Sequence, residues 1–199
     1  MACIEEILNI IYSYYPKDVS FNDIKYKLSV QYCNSMKKKS EHTTNTLIKK
    51  DIYSTLINAL KGYEIIDWTD LSSSFCYEFR ILLHKNVKIL DDDIKLIKML
   101  KGKRLDILLY VSILSNYFYF DINETKYINN KWEFRYINKL PIEIEYLTSI
   151  INQCLISLGY YGLTSDIVHT YVDHIETEYK DKGKVTVFDC LFTDLYTDS

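Results

Sequence analysis

The spacing of apolar residues changes at Gly62, from helical repeats to strand-like runs, and that change constrains the fold more than any other feature. Before it the repeats are helical. Ile4, Ile7, Leu8 and Ile11 recur at i, i+3, i+4, i+7, one face of a helix over 3–14 that Pro16 stops. Phe21, Ile24, Leu28 and Tyr32 mark a second stripe over 21–36, with Ser20 as N-cap and Asp23 three residues on. The polar run KKKSEHTTN then reads as a helix end and a solvated loop. A third helix over 46–61 carries Leu47, Ile48, Ile52, Leu56, Ile57 and Leu60, capped by Thr44 or Asn45 and closed by Gly62.

After Gly62 the chain turns aromatic and β-branched. YEIIDW (63–68), SFCYEFRILLH (74–84), NYFYFDIN (116–123) and KWEFRYIN (131–138) read as strands. LDILLYVSIL (105–114) is apolar on both faces, as a central strand is, with a buried helix as its alternative. NETKYINN at 123–130 is turn-rich. DDDIKLIKMLKGK (91–103) suits a short helix whose Asp residues sit at the positive end and whose Lys residues sit near the negative one. Pro141 opens a helix over 142–158, Thr164 or Ser165 caps another, and VTVFDCLF (185–192) reads as a last strand. The expected class is α+β: a mainly antiparallel sheet of five or six strands, N-terminal helices, and two further helices before a C-terminal strand. The 199 residues include five Gly and two Pro, too few for a long linker, so 1–199 reads as a single α+β domain. Its parts are a helical stretch (1–62), a sheet-rich stretch (63–138), and helices plus a final strand (141–199).

Charge is uneven although the net value is only −3. Residues 1–104 hold 17 basic and 13 acidic side chains, 105–163 hold 4 and 6, and 164–199 hold 3 and 8. The mild net charge argues against a general nucleic-acid coat protein. The acidic C-terminal stretch suits either a solvated face or a docking face for a basic partner. Basic residues are 21 Lys against 3 Arg, so arginine forks are scarce. The opening segment lacks the basic n-region of a secretory signal, and no apolar run is long enough to span a bilayer. Five widely spaced cysteines without a CxxC read as free, mostly buried thiols in a cytoplasmic protein.

Motifs that carry chemistry are missing. There is no GxSxG, no Gly-rich phosphate loop and no HExxH. Asp166, His169 and Asp173 would share one face if a single helix held all three, the spacing a divalent metal could use. Surface helices carry Asp and His for solubility as well, and the reading assigns no catalytic residue, no metal and no cofactor. Nineteen Tyr is the unusual count. Tyr63, Tyr77, Tyr110, Tyr117, Tyr119, Tyr127 and Tyr136 interleave the expected sheet. Single-strand binders place such rings among cations, and these strand segments are not basic. Protein interfaces also favour Tyr, for area and a hydroxyl at small entropic cost.

The tail LGYYGLTSDIV, DHIETE and GKVTVFDCLFTDLY, with RLDILLYVSILSNYFYF before it, resembles cytoplasmic immunity proteins of bacterial polymorphic and contact-dependent growth inhibition toxin systems. The resemblance spans about 105–196. It implies a stoichiometric inhibitor that binds a cognate toxin domain, such as a basic nuclease, and covers its active site without catalysis, membrane insertion or direct nucleic-acid contact. No family binding residue transfers to a numbered position. Charge and aromaticity place the expected contact on Glu176, Glu178, Asp181, Asp194 and Tyr196. Another intracellular regulatory protein, of phage or viral origin, is the alternative; a metal-assisted enzyme is the weaker one.

Overall fold

A computed structural model describes residues 3–84, 94–137 and 142–195. Its elements are α1 (Ile4–Tyr12), α2 (Ile24–Lys27), α3 (Val30–Thr44), α4 (Leu47–Ala59), β1 (Glu64–Asp67), β2 (Cys76–Leu82), α5 (Ile94–Met99), β3 (Lys103–Ser112), β4 (Tyr117–Ile128), β5 (Lys131–Tyr136), α6 (Ile142–Ser157), β6 (Tyr161–Gly162), α7 (Ser165–Val168) and α8 (Val187–Leu191). The class is α+β. The first five strands form an antiparallel meander in the order β1-β2-β3-β4-β5, and β6 adds to β4 in parallel. The aspartates at 91–93 lie outside the described residues.

Strand alternation sorts the sheet into two covered faces. Phe79, Leu109 and Phe120 stand in register on one face, where the Tyr53 ring of α4 stacks on Phe79 at 5.9 Å. Glu78, Tyr110 and Tyr119 stand in register on the other, where Phe188 of α8 meets Tyr110 at 5.1 Å and Tyr119 at 6.0 Å. β3 is buried on both faces over most of its length, as its unbroken apolar run requires. One connected core runs from Ile7 to Phe192, drawing on α1, α4, the sheet, α6 and α8.

The three arginines all serve the sheet. Arg80 pairs with Glu78 at 3.0 Å and lies over the Trp68 ring at 4.5 Å. Arg104 pairs with Asp106 at 2.9 Å, both nearly inaccessible. Arg135 joins Lys103 and Lys126 around the Glu124 carboxylate. Burial still pushes the Asp106 carboxyl up against the pull of Arg104.

Several sequence expectations need correction. The stripe over 21–36 is two helices, because Ser29 intervenes: its hydroxyl donates to the Tyr26 carbonyl at 2.6 Å and accepts from the Tyr32 N–H at 3.1 Å. It closes α2 and caps α3, and Asp23, not Ser20, caps α2. KKKSEHTTN continues α3 to Thr44, where Ser35 is buried and His42 meets the Tyr77 hydroxyl at 2.6 Å. The turn expected over 123–130 contracts to Asn129 and Asn130, both at positive φ, and β4 runs to Ile128. The segment 185–192 is not a strand. Thr186 and Asp189 make a reciprocal capping box that starts α8, and only a single bridge to Tyr171 remains of β pairing. No helix among the described residues is long and apolar enough to cross a membrane.

Candidate partner-binding cleft

The segment after α7 has little regular structure and is held by the first thirty residues. Glu176 accepts from the Ser20 hydroxyl at 2.7 Å and from the Phe21 N–H at 3.0 Å. The Tyr26 hydroxyl donates to the Glu176 carbonyl at 3.2 Å, and the Asp18 N–H donates to the His174 carbonyl at 2.8 Å. Asp18, at φ 57, also receives Lys182 and His174 at its carboxylate, and these hydrogen bonds hold its carboxyl below the usual range. The loop before β2 closes the third side, with the Phe75 N–H on the Phe192 carbonyl at 2.8 Å.

These three segments and α3 line a cleft of about 170 Å³. Tyr14, Phe21, Tyr26, Tyr32 and Phe75 supply rings, and Glu178 and Asp194 supply carboxylates. The rings brace one another edge to face, Phe21 on Tyr26 at 5.1 Å and Tyr26 on Tyr32 at 5.8 Å. Lys39 of α3 also lines the cleft, its ammonium 4.2 Å from the Phe75 ring centre and 3.3 Å from the Ser72 carbonyl. Burial lowers the Lys39 pKa, and Asp194, Asp70 and Glu178 partly offset this. The cleft thus already holds the Lys39 ammonium over the Phe75 ring beside carboxylates, with the loss of hydration outweighing their attraction.

Exposed apolar residues adjoin these rings in sequence. Tyr26 turns inward from α2, which leaves Ile24 and Leu28 on the opposite side, 66% and 73% exposed, with Val30 at 72%. Single exposed apolar residues are ordinary; three within seven positions leave this stretch unusually apolar at its surface.

The expected contact residues separate. Glu178 and Asp194 line the cleft together, with Asp194 also accepting from the Tyr179 N–H at 3.3 Å. Glu176 is spent on the internal clamp to Ser20 and Phe21. Asp181 is exposed, pairs with Lys184 at 2.9 Å and does not line the cleft. Tyr196 lies outside the described residues. The rings of Tyr14, Phe21, Tyr26 and Tyr32 were missed; their signal is a Tyr-rich stretch over 12–32, which the sheet tyrosines overshadowed.

The helix expected to gather Asp166, His169 and Asp173 ends at Val168, and His169 turns its Nδ1 to the Ser165 carbonyl at 2.8 Å. Among the described residues no three His, Cys, Asp or Glu side chains converge on a metal site. All five cysteines are free thiols. Cys76 and Cys190 are buried, which raises their pKa, whereas Cys3 and Cys33 are exposed, contrary to the expectation of mostly buried thiols. The chain matches no protein-family model, no curated protein and no solved structure.

Proposed function

We infer that this chain is a protein-binding module of the immunity type, which neutralises a toxin domain in the cytoplasm by occlusion and performs no catalysis. The observation that carries the reading is the cleft: a ring-lined hollow with Glu178 and Asp194, on a chain segment that also carries exposed Ile24, Leu28 and Val30. Such a surface takes a Lys or Arg side chain of a basic partner into the cleft while apolar contacts surround it, the arrangement of a binding hot spot. A basic nuclease domain is the partner class that fits, because carboxylates then meet a phosphate-binding surface and steer association. Glu178 is exposed and Asp194 half-exposed, so both are accessible to a partner.

The test is co-expression with the C-terminal domain of whichever polypeptide the adjacent upstream gene encodes. Protection of growth and a stoichiometric complex are expected. Glu178→Lys with Asp194→Lys should slow association and weaken its salt dependence. A neighbouring domain that is neither toxic nor bound removes the reading, as does turnover of a substrate by the purified chain.

A further inference from the structure

Among the described residues β5 ends the sheet, and one hydrogen bond fixes what it offers at its outer edge. Ile137 donates its N–H to the Ile122 carbonyl at 2.9 Å, extending the β4–β5 ladder. Alternate residues of an antiparallel strand bond to the same neighbour. Lys131, Glu133 and Arg135 therefore bond to β4, and Trp132, Phe134 and Tyr136 direct their backbone N–H and C=O groups outward. Among the described residues no strand pairs with them. Side chains alternate as well, so the three aromatics share one face and the three charged residues share the other. Five of the six positions are exposed, with Phe134 at 62% and Tyr136 at 42%. An open strand edge beside an aromatic row is a template for another strand.

The order of residues selects the occupant. We propose that β5 pairs antiparallel with β5 of a second copy, about a two-fold axis through Phe134, and joins two sheets into one. In that register Phe134 meets Phe134, and Trp132 of each copy meets Tyr136 of the other, giving one unbroken aromatic ladder. On the opposite face Glu133 of each copy meets Arg135 of the other. Arg135 spends its Nε on Glu124, and a guanidinium has further donors for a second carboxylate. Centring the axis on Glu133 or on Arg135 would oppose like charges, which destabilises a strand pair. In the proposed register every outward N–H and C=O of Trp132, Phe134 and Tyr136 finds a partner. The strand is thus self-complementary in backbone, rings and charge, as a two-fold interface requires. The paired area is small, so association belongs in the micromolar range. The edge lies apart from the ring-lined cleft, and the pairing does not depend on the function assigned to it.

Sedimentation velocity of the full chain over a range of roughly 1 to 200 µM reads the association directly. A monomer that converts to a dimer as concentration rises is expected. Phe134→Pro removes an N–H that β4 does not use, and edge strands accept proline there, so this variant should keep its circular dichroism and stay monomeric. Glu133→Arg places Arg against Arg and should weaken the dimer at least tenfold. A wild-type chain that remains monomeric at the highest concentration overturns the proposal. So does a dimer that survives Glu133→Arg, or survives Phe134→Pro in a folded chain. If Phe134→Pro does not fold, Glu133→Arg alone decides. A strand of another protein, or a nucleic-acid strand, that binds this edge while the chain itself stays monomeric also overturns it.

Discussion

The hydroxyl of Tyr15 donates to the carbonyl oxygen of Cys190 at 2.9 Å, a buried bond between residues 175 positions apart. Tyr15 follows α1, and Cys190 lies in the last turn of α8, where carbonyls lack an intrahelical donor. The bond therefore satisfies a buried helix end and ties the two ends of the chain together. Burial, followed by the nearby Cys190, raises the Tyr15 pKa well above its ordinary value, so the hydroxyl remains a donor at any working pH.

Tyr15→Phe keeps the ring and deletes only that donor. The Cys190 carbonyl is then left without it in the core, a loss of about 1–3 kcal/mol. Urea unfolding should show a lower midpoint with an unchanged slope. An unchanged midpoint would mean that water or another donor replaces the hydroxyl.

Glu124 sets a pH limit at the other end of the sheet. Its carboxylate is inaccessible because Lys103 at 2.6 Å, Lys126 at 2.8 Å and Arg135 surround it. Burial opposes ionisation, but the hydrogen bonds from these three cations outweigh it and hold the pKa at about 2 instead of 4.5. A folded-state pKa below the unfolded one adds stability that is fully present above pH 4.5 and is lost as the pH falls through about 2. Glu124→Gln should remove this part of the acid limb in thermal melts. At neutral pH it leaves three cations facing one another, so its melting temperature should be lower and should recover with added salt. Parallel acid limbs for the two proteins would refute the assignment.

Much of the fold was legible because periodicity reports burial. β3 reads as a central strand from its apolar run, and α6 from Ile144, Leu147, Ile151 and Leu155, all buried. What was misread turns on single side-chain to backbone bonds. Ser29 divides a stripe that periodicity joins, since its hydroxyl serves two helices at once. VTVFDCLF has the composition of a strand, and the Thr186–Asp189 capping box overrides it. Asn129 and Asn130 make the β4–β5 turn in two residues because Asn tolerates positive φ, so the polar residues before them stay in the strand. The cleft was half legible. Charge singled out Glu178 and Asp194, but rings from residues 14–32 reach them only through the long-range clamp at Glu176.

The patch on α2 separates binding from folding. Leu28 is 73% exposed, so Leu28→Asp should change stability by no more than about 0.5 kcal/mol. If the patch flanks a docked partner, the same change introduces a charge into an apolar contact and should weaken binding at least tenfold. Calorimetric titration with the proposed toxin partner, paired with a thermal melt, reads both quantities. Full affinity in the variant would exclude Leu28 from the contact.

Asp189 does three things at once, and its removal should be the most damaging change among these. Its Oδ2 accepts from the Thr186 N–H and from the Thr186 hydroxyl, each at 2.8 Å, and its Oδ1 pairs with Lys180 at 3.0 Å. It is 2% exposed, and burial raises its pKa although the Thr186 bonds and Lys180 oppose the rise. Asp189→Ala takes the cap from α8 and deprives the nearly buried Lys180 of this counter-charge. Breaking a buried pair from one side costs about 3–5 kcal/mol, against about 1 kcal/mol for a lost cap alone. Thr186→Ala loses the hydroxyl contribution to the cap and keeps the ion pair, so it should fall near the smaller figure. Because α8 carries Phe188 onto Tyr110 and Tyr119, near-ultraviolet circular dichroism should weaken together with stability in Asp189→Ala. Equal losses in the two variants would place the whole effect in the cap and none in the ion pair.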